Sequence, residues 1–109
     1  MKDDRLHLEH MSEALERVRG YTSGGRKRFE GSPMAQDAVM RNLQTLAEST
    51  QRLSDDLRSR HPDVEWRAIA GFRNVLVHDY LGIDLDLVWN IIKERLPQLS
   101  ATVNDELGP

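Results

Sequence analysis

Ser32-Pro33-Met34-Ala35-Gln36-Asp37-Ala38-Val39-Met40-Arg41-Asn42-Leu43-Gln44-Thr45-Leu46-Ala47-Glu48-Ser49-Thr50-Gln51-Arg52-Leu53-Ser54-Asp55-Asp56-Leu57 is the stretch that decides the fold class. Within it Val39, Leu43, Leu46, Thr50, Leu53 and Leu57 recur at alternating steps of four and three. That spacing puts them on one face of a helix and on opposite faces of a strand, so it predicts a helix. Ser32 is a side-chain N-cap, and Pro33 sits at the first helical position, where its missing N–H breaks no bond. The stripe predicts one long helix of about six turns, ending near His61-Pro62.

Outward from this helix the periodicity stays helical. Leu8, Met11, Leu15 and Val18 form a stripe on a helix expected from Asp3 to Tyr21, stopped before Gly24-Gly25. Thr22 to Gly31, glycine-rich and basic at Arg26-Lys27-Arg28, reads as a loop or a short irregular turn. A third helix is expected from Trp66 to about Tyr80, broken by Gly82. Asp84 caps a fourth with Leu85, Val88, Ile92 and Leu96 as its stripe, and Pro97 either kinks it or starts a short terminal helix ending near Leu107. No segment alternates with period two over a strand's length. The expectation is an all-α up-and-down antiparallel bundle of four long helices plus a short C-terminal helix, one domain over residues 1–109.

Composition narrows the chemistry. The chain has no cysteine, which excludes disulfides, zinc-thiolate sites and thiol nucleophiles and suits a reducing cytoplasm. It has neither an apolar run of membrane-spanning length nor, after Met1-Lys2-Asp3-Asp4-Arg5, the apolar segment of a signal peptide, so a soluble cytoplasmic protein is expected. The net charge of −3 is not the basic field of a general nucleic-acid binder, so attraction for RNA would have to come from local patches. With two each of Trp, Tyr and Phe, extended base-stacking platforms are not expected.

The third helix carries an arginine, a histidine and a tyrosine in Phe72-Arg73-Asn74-Val75-Leu76-Val77-His78-Asp79-Tyr80. At about 100° per residue, Trp66, Ile69, Ala70, Leu76, Val77 and Tyr80 fall within about 60° of Arg73, which places a guanidinium inside the apolar stripe. A charge there needs a carboxylate, a phosphate, a subunit boundary or a wet cleft. Arg67, Gly71, Asn74 and His78 form a second seam, with Gly71 able to admit another backbone or a substrate. Spacing alone leaves two readings open. Arg73 and His78 suit phosphodiester chemistry, one as a forked cation for phosphate and the other as a proton carrier. Alternatively, and as the commoner outcome for such spacing, Arg73 could pair with an acid such as Glu48 while His78 serves as a cation favoured at a helix C-terminus. His7 and His10, with Glu9 between them, lack further ligands at helical spacing and read as surface residues; Trp66 and Trp89 read as core.

Asp37-Ala38-Val39-Met40-Arg41-Asn42-Leu43, His61-Pro62 followed by Trp66, Arg73-Asn74 to His78-Asp79-Tyr80, Val88-Trp89 and Leu96-Pro97 together resemble the HepT toxins of the HEPN superfamily, in order and at suitable spacing. The central element matches that family's Arg-x-x-x-x-His-x-Tyr motif. The resemblance implies a helical homodimer whose paired Arg and His residues line a cleft at the dimer interface and cut RNA without a metal. It implies His78 as general acid or base, Arg73 as stabiliser of the pentavalent phosphate, Asn74 as an orienting residue, and products ending in a 2′,3′-cyclic phosphate. It also implies a partner, a minimal nucleotidyltransferase antitoxin of the MntA type that uses ATP to adenylylate Tyr80, in a type VII toxin-antitoxin system. No cofactor is implied. Where the family often has Gly-Glu-Ala in the long helix, this chain has Ala47-Glu48-Ser49, which keeps Glu48 as a possible support for Arg73. The alternative function is a non-catalytic subunit that binds or presents substrate to a nucleotidyltransferase.

Overall fold

A computed structural model describes residues 3–72 and 84–108. Among them the chain is helical without a strand: α1 (Asp4–Thr22), α2 (Arg26–Glu30), α3 (Pro33–Arg52), α4 (Asp55–Ser59), α5 (Trp66–Ala70), α6 (Leu85–Glu94) and α7 (Leu96–Leu107). The all-α expectation holds. α1 packs against α3 and α7, α3 also receives α5 and α2, and α6 packs on α7. End-to-end contacts fix the antiparallel directions. Asp4 at the start of α1 meets Ser54 just beyond the end of α3, and the Arg5 guanidinium donates to the Leu107 carbonyl at the end of α7.

The predicted stripe of the long helix is buried along its whole length: Val39, Leu43, Leu46, Thr50, Leu53 and Leu57 are each at most 3% exposed. The helix itself is not continuous to His61. α3 ends at Arg52, Leu53 is extended, and Ser54 caps a new one-turn helix by accepting the Leu57 N–H at 3.1 Å. The physical cause is a better set of partners. The Ser54 N–H and hydroxyl both donate to the Asp4 carboxylate, at 2.8 and 2.6 Å, so the interruption is hydrogen-bonded from α1 while Leu53 and Leu57 still reach the core. Burial alone would raise the Asp4 pKa, but these two bonds, with Arg60 nearby, hold it below its ordinary value.

The Thr22–Gly31 segment expected as a loop contains α2. Gly25, with φ +96°, makes the turn that a side chain would resist, and Phe29 on α2 is buried against Trp89, ring centroids 5.6 Å apart. Burial of one large ring repays the ordering of a segment too short to be helical by itself. At the other punctuation mark, Pro97 starts a helix: α6 ends at Glu94, and Pro97 lies in the first turn of α7. The third helix is described as α5 with Gly71 at its C-terminal cap and Phe72 buried beyond it. Its expected continuation to Tyr80 lies outside the described residues.

Candidate functional site

Arg73, Asn74, His78 and Tyr80 lie outside the described residues, so the site is built here from what holds the two ends of their segment. On the near side, the loop before α5 is fastened to α7 and to the α6–α7 junction. Glu106 on α7 receives the Arg60 guanidinium at 2.9 Å and faces His61 Nε2 at 2.5 Å. The Gln98 amide donates to the Asp63 carbonyl at 2.9 Å, and Glu65 pairs with Arg95 at 2.8 Å. Arg60 first, and His61 second, hold the Glu106 carboxyl below its ordinary pKa.

Trp66 opens α5 with a role beyond filling the core. Its indole N–H donates to the carbonyls of Arg58 and His61, both at 3.1 Å, adding a side-chain bond to two carbonyls that also accept backbone N–H groups and tying α5 to the end of α4. Trp66 is only partly buried, whereas Ile69 and Phe72 are 2% and 3% exposed. The described part of the apolar stripe is therefore centred to one side of its predicted axis, by about 70° on a wheel of ~100° per residue. Among the described residues, the nearest atoms that a β-carbon on Gly71 would meet are the carbonyls of Arg67 and Ala68, in its own turn, at 3.3 Å. A groove of about 400 Å³ runs beside α5, with Thr50, Arg58, Trp66 and Arg67 in its walls. The Thr50 hydroxyl is buried there without a partner among the described residues.

On the far side of the segment, the Asp84 carboxylate accepts the Leu87 N–H at 3.1 Å and starts α6, whose Val88, Trp89, Ile91 and Ile92 are buried. Asp86 in the first turn pairs with Arg26 of α2. Phe72 and α6 thus hold the core from either end of the 73–83 interval. Glu48 is exposed on α3, where the Gln44 amide donates to it at 3.4 Å, between the buried Ala47 and Ser49.

Other motif residues divide between scaffold and surface. Asn42 is buried and donates to the Ala38 carbonyl at 2.8 Å, and Trp89 is core, with Lys93 Nζ 5.2 Å from its ring centroid. His7 and His10 sit with their rings 6.3 Å apart, and no group of three or more metal-ligating side chains occurs among the described residues. None of the described helices is long and apolar enough to cross a membrane. Spacing did not reveal the Arg60–His61–Glu106 cluster, since its members lie 45 residues apart; the only trace was His61-Pro62 as a landmark.

The family described as ribonuclease HepT-like matches residues 11–105. A Caldanaerobacter subterraneus subsp. tengcongensis protein named as a candidate RNase is 32% identical over 98% of this chain and 96% of its own length. A Thermococcus cleftensis protein named as a probable ribonuclease HepT is 32% identical over 85% of this chain and 86% of its own. A Methanocaldococcus jannaschii protein whose name joins a gamma-glutamylcyclotransferase to a candidate RNase is 30% identical over 94% of this chain, which spans 46% of that longer protein. No solved structure matches the chain. With the family match running from the middle of α1 nearly to the end of α7 and taking in the whole Arg73–Tyr80 motif, the chain belongs to the ribonuclease HepT-like family.

Proposed function

We propose that this protein is a metal-independent endoribonuclease, the toxin of a toxin-antitoxin pair. The observation that carries the reading is the match to a ribonuclease family across residues 11–105, with Arg73-Asn74, His78 and Tyr80 inside it at the motif's spacing. The chemistry needs little machinery. His78 takes the proton of a ribose 2′-hydroxyl, the 2′-oxygen attacks the adjacent phosphorus, and the bond to the 5′-oxygen breaks, with the leaving oxygen taking a proton. One product ends in a 2′,3′-cyclic phosphate and the other in a 5′-hydroxyl. Arg73 offsets the charge that builds on the phosphoryl oxygens, the work a metal would otherwise do. Asn74 orients His78 or the phosphate, and the exposed Glu48 is available to orient Arg73.

The catalytic unit in this reading is a homodimer whose cleft brings two Arg–His sets together. That arrangement gives Arg73 a phosphate or the second subunit as its counterpart in an otherwise apolar stripe. Control falls to Tyr80, whose phenol oxygen attacks the α-phosphate of ATP in the active site of an MntA-type nucleotidyltransferase, releasing pyrophosphate. The attached AMP puts a bulky anion two residues from His78, where it blocks the cleft and competes with RNA for Arg73.

The test incubates purified protein with RNA in EDTA. Wild type cuts, while Arg73→Ala and His78→Ala each cut at least about a hundredfold more slowly. Equal residual cutting by all three proteins, or the loss of all cutting in EDTA, sinks the reading. Mass spectrometry after mixing with the nucleotidyltransferase and ATP detects one added AMP on wild type and none on Tyr80→Phe.

A further inference from the structure

Between Glu16 and Glu30 the chain carries Arg17, Arg19, Arg26, Lys27 and Arg28 and no carboxylate. Five of the fifteen cations therefore fall in one short stretch, and the other ten are shared among all eighteen acidic residues. The structure gathers this stretch around a groove. The end of α1, the Gly24-Gly25 turn, α2 and the start of α3 enclose about 390 Å³, the size of a small-ligand site, with Tyr21, Arg28, Ser32 and Met34 in its walls. Tyr21 is 45% exposed and Met34 is 82% exposed, an aromatic face and a flexible thioether open to solvent beside a cation. The Arg28 stem crosses Gly24 so closely that a β-carbon there would fall 2.5 Å from Arg28 Cδ.

Pairing around the groove is uneven. Arg19 pairs with Glu16, and Arg26 takes both Glu30 and Asp86. Glu16, Glu30 and Asp86 are thereby matched, while Lys27 and Arg28 enter no ion pair among the described residues; Asp37, exposed one turn into α3, is the nearby acid left without one there. A groove beside which most acids are paired, and whose remaining cations flank an exposed aromatic ring, has the pattern of a strand-binding groove, cations for the backbone and a ring for a base. Arg26 and Phe29 lock α2 onto α6 through Asp86 and Trp89. Asp86 follows His78 by eight residues, so at most about 29 Å of chain separates the locked turn from the proposed general base.

We propose that the groove between the end of α1 and the start of α3 binds single-stranded RNA, with one base stacked on Tyr21 and the neighbouring phosphates on Arg28 and Lys27. The proposal rests on the ribonuclease reading for the identity of the polyanion, and it gives the enzyme a way to hold substrate outside the cutting site.

The test measures fluorescence anisotropy of a labelled 2′-O-methyl oligonucleotide, which has no free 2′-hydroxyl and is not cut, at salt concentrations from ~50 to ~200 mM. Tyr21→Ala weakens binding about tenfold and Tyr21→Phe leaves it unchanged. Lys27→Gln with Arg28→Gln weakens binding and lowers the salt slope by about 1.4, at ~0.7 per single-strand phosphate contact. Arg52→Gln, which removes an exposed cation elsewhere, changes binding less than about twofold. Wild-type affinity in both Tyr21→Ala and the double variant overturns the proposal, as does an equal loss in Arg52→Gln. It is also overturned if Tyr21→Ala keeps its RNA affinity while losing affinity for polyglutamate, since the groove would then take an acidic protein segment. Cleavage in EDTA, followed separately with His78→Ala, distinguishes the two readings: groove binding without cleavage removes the catalytic one, and cleavage with normal binding by the groove variants removes this one.

Discussion

The two ends of the α1–α3 pair are built on opposite principles. At the end where α1 begins, polar groups are matched across elements, Asp4 with Ser54 and both Arg60 and His61 with Glu106, and Arg60 also pairs with Asp56 one turn back. At the end where α1 finishes, α2 is held by the buried Phe29 ring against Trp89, by the Arg26–Asp86 pair and by the Gln36 amide, which donates to the Phe29 and Glu30 carbonyls, while Lys27, Arg28 and Tyr21 face solvent. Polar groups are consumed as structure at the first end. At the second, a buried ring joins a single cross-element ion pair in holding α2, and Lys27 and Arg28 enter no ion pair among the described residues. Local ion pairing thus separates charge that stabilises the fold from charge available for binding, which net charge cannot do.

The largest effect should come from removing the ring. Phe29→Ala leaves a cavity and costs about 3–5 kcal/mol, a fall in melting temperature of at least ~10 °C, and it releases the basic turn from α6. A loss below about 1 kcal/mol in thermal or urea unfolding would mean that charges, and not the ring, hold this end.

The next effect belongs to the matched end. Glu106→Gln keeps the shape but removes the charge that Arg60 and His61 share, and should lower the melting temperature by ~5 °C near neutral pH. Acid should act through the same group. The Glu106 and Asp4 carboxyls both titrate below their ordinary values in the folded protein. Their contribution is therefore fully present above the unfolded-state pKa and is lost as the pH falls through the lower folded value, so stability should be level above about pH 5 and decline below about pH 4. In Glu106→Gln the acid decline should be shallower; an identical pH profile would remove Glu106 from the comparison.

The smallest effect is expected at the unmatched cations. Lys27→Gln with Arg28→Gln should shift unfolding free energy by no more than ~0.5 kcal/mol, because neither side chain makes an ion pair or a side-chain hydrogen bond among the described residues. A clear destabilisation would show that these residues are structural and would erase the contrast between the two ends.

Much of the scaffold could be read from spacing. The stripes of α1 and of the Val39–Leu57 stretch are buried residue for residue, because a run of apolar side chains at steps of three and four has one way to leave water. Spacing could not show that the second stripe is carried on two helices, since Leu53 and Leu57 stay buried on either side of the break and the competing hydrogen bonds come from Asp4, 50 residues away. The α2 segment was missed for a related reason. Glycines and cations argue for a loop, and it takes the Trp89 ring and the Asp86 carboxylate, both across the fold, to make one helical turn worth forming. In the candidate site, the motif residues Arg73, Asn74, His78 and Tyr80 were legible as residue types at a spacing, and the family match covers them. The fastenings of their segment were not legible: the Glu106 cluster and the Arg26–Asp86 link join distant parts of the chain, and the Trp66 bonds to the end of α4, only five and eight residues back, depend on how the intervening loop turns.

By itself, then, the sequence determined the helical class, the faces that enter the core, the capping at Ser32 and Asp84, and the motif that marks the family. These are local properties, set by side-chain periodicity and by groups within a turn of one another. Tertiary structure alone decided where the long stripe breaks, which carbonyls the Trp66 indole reaches, and which cations are matched. Each of those outcomes depends on partners brought together by the burial of the core, and no spacing along the chain encodes them.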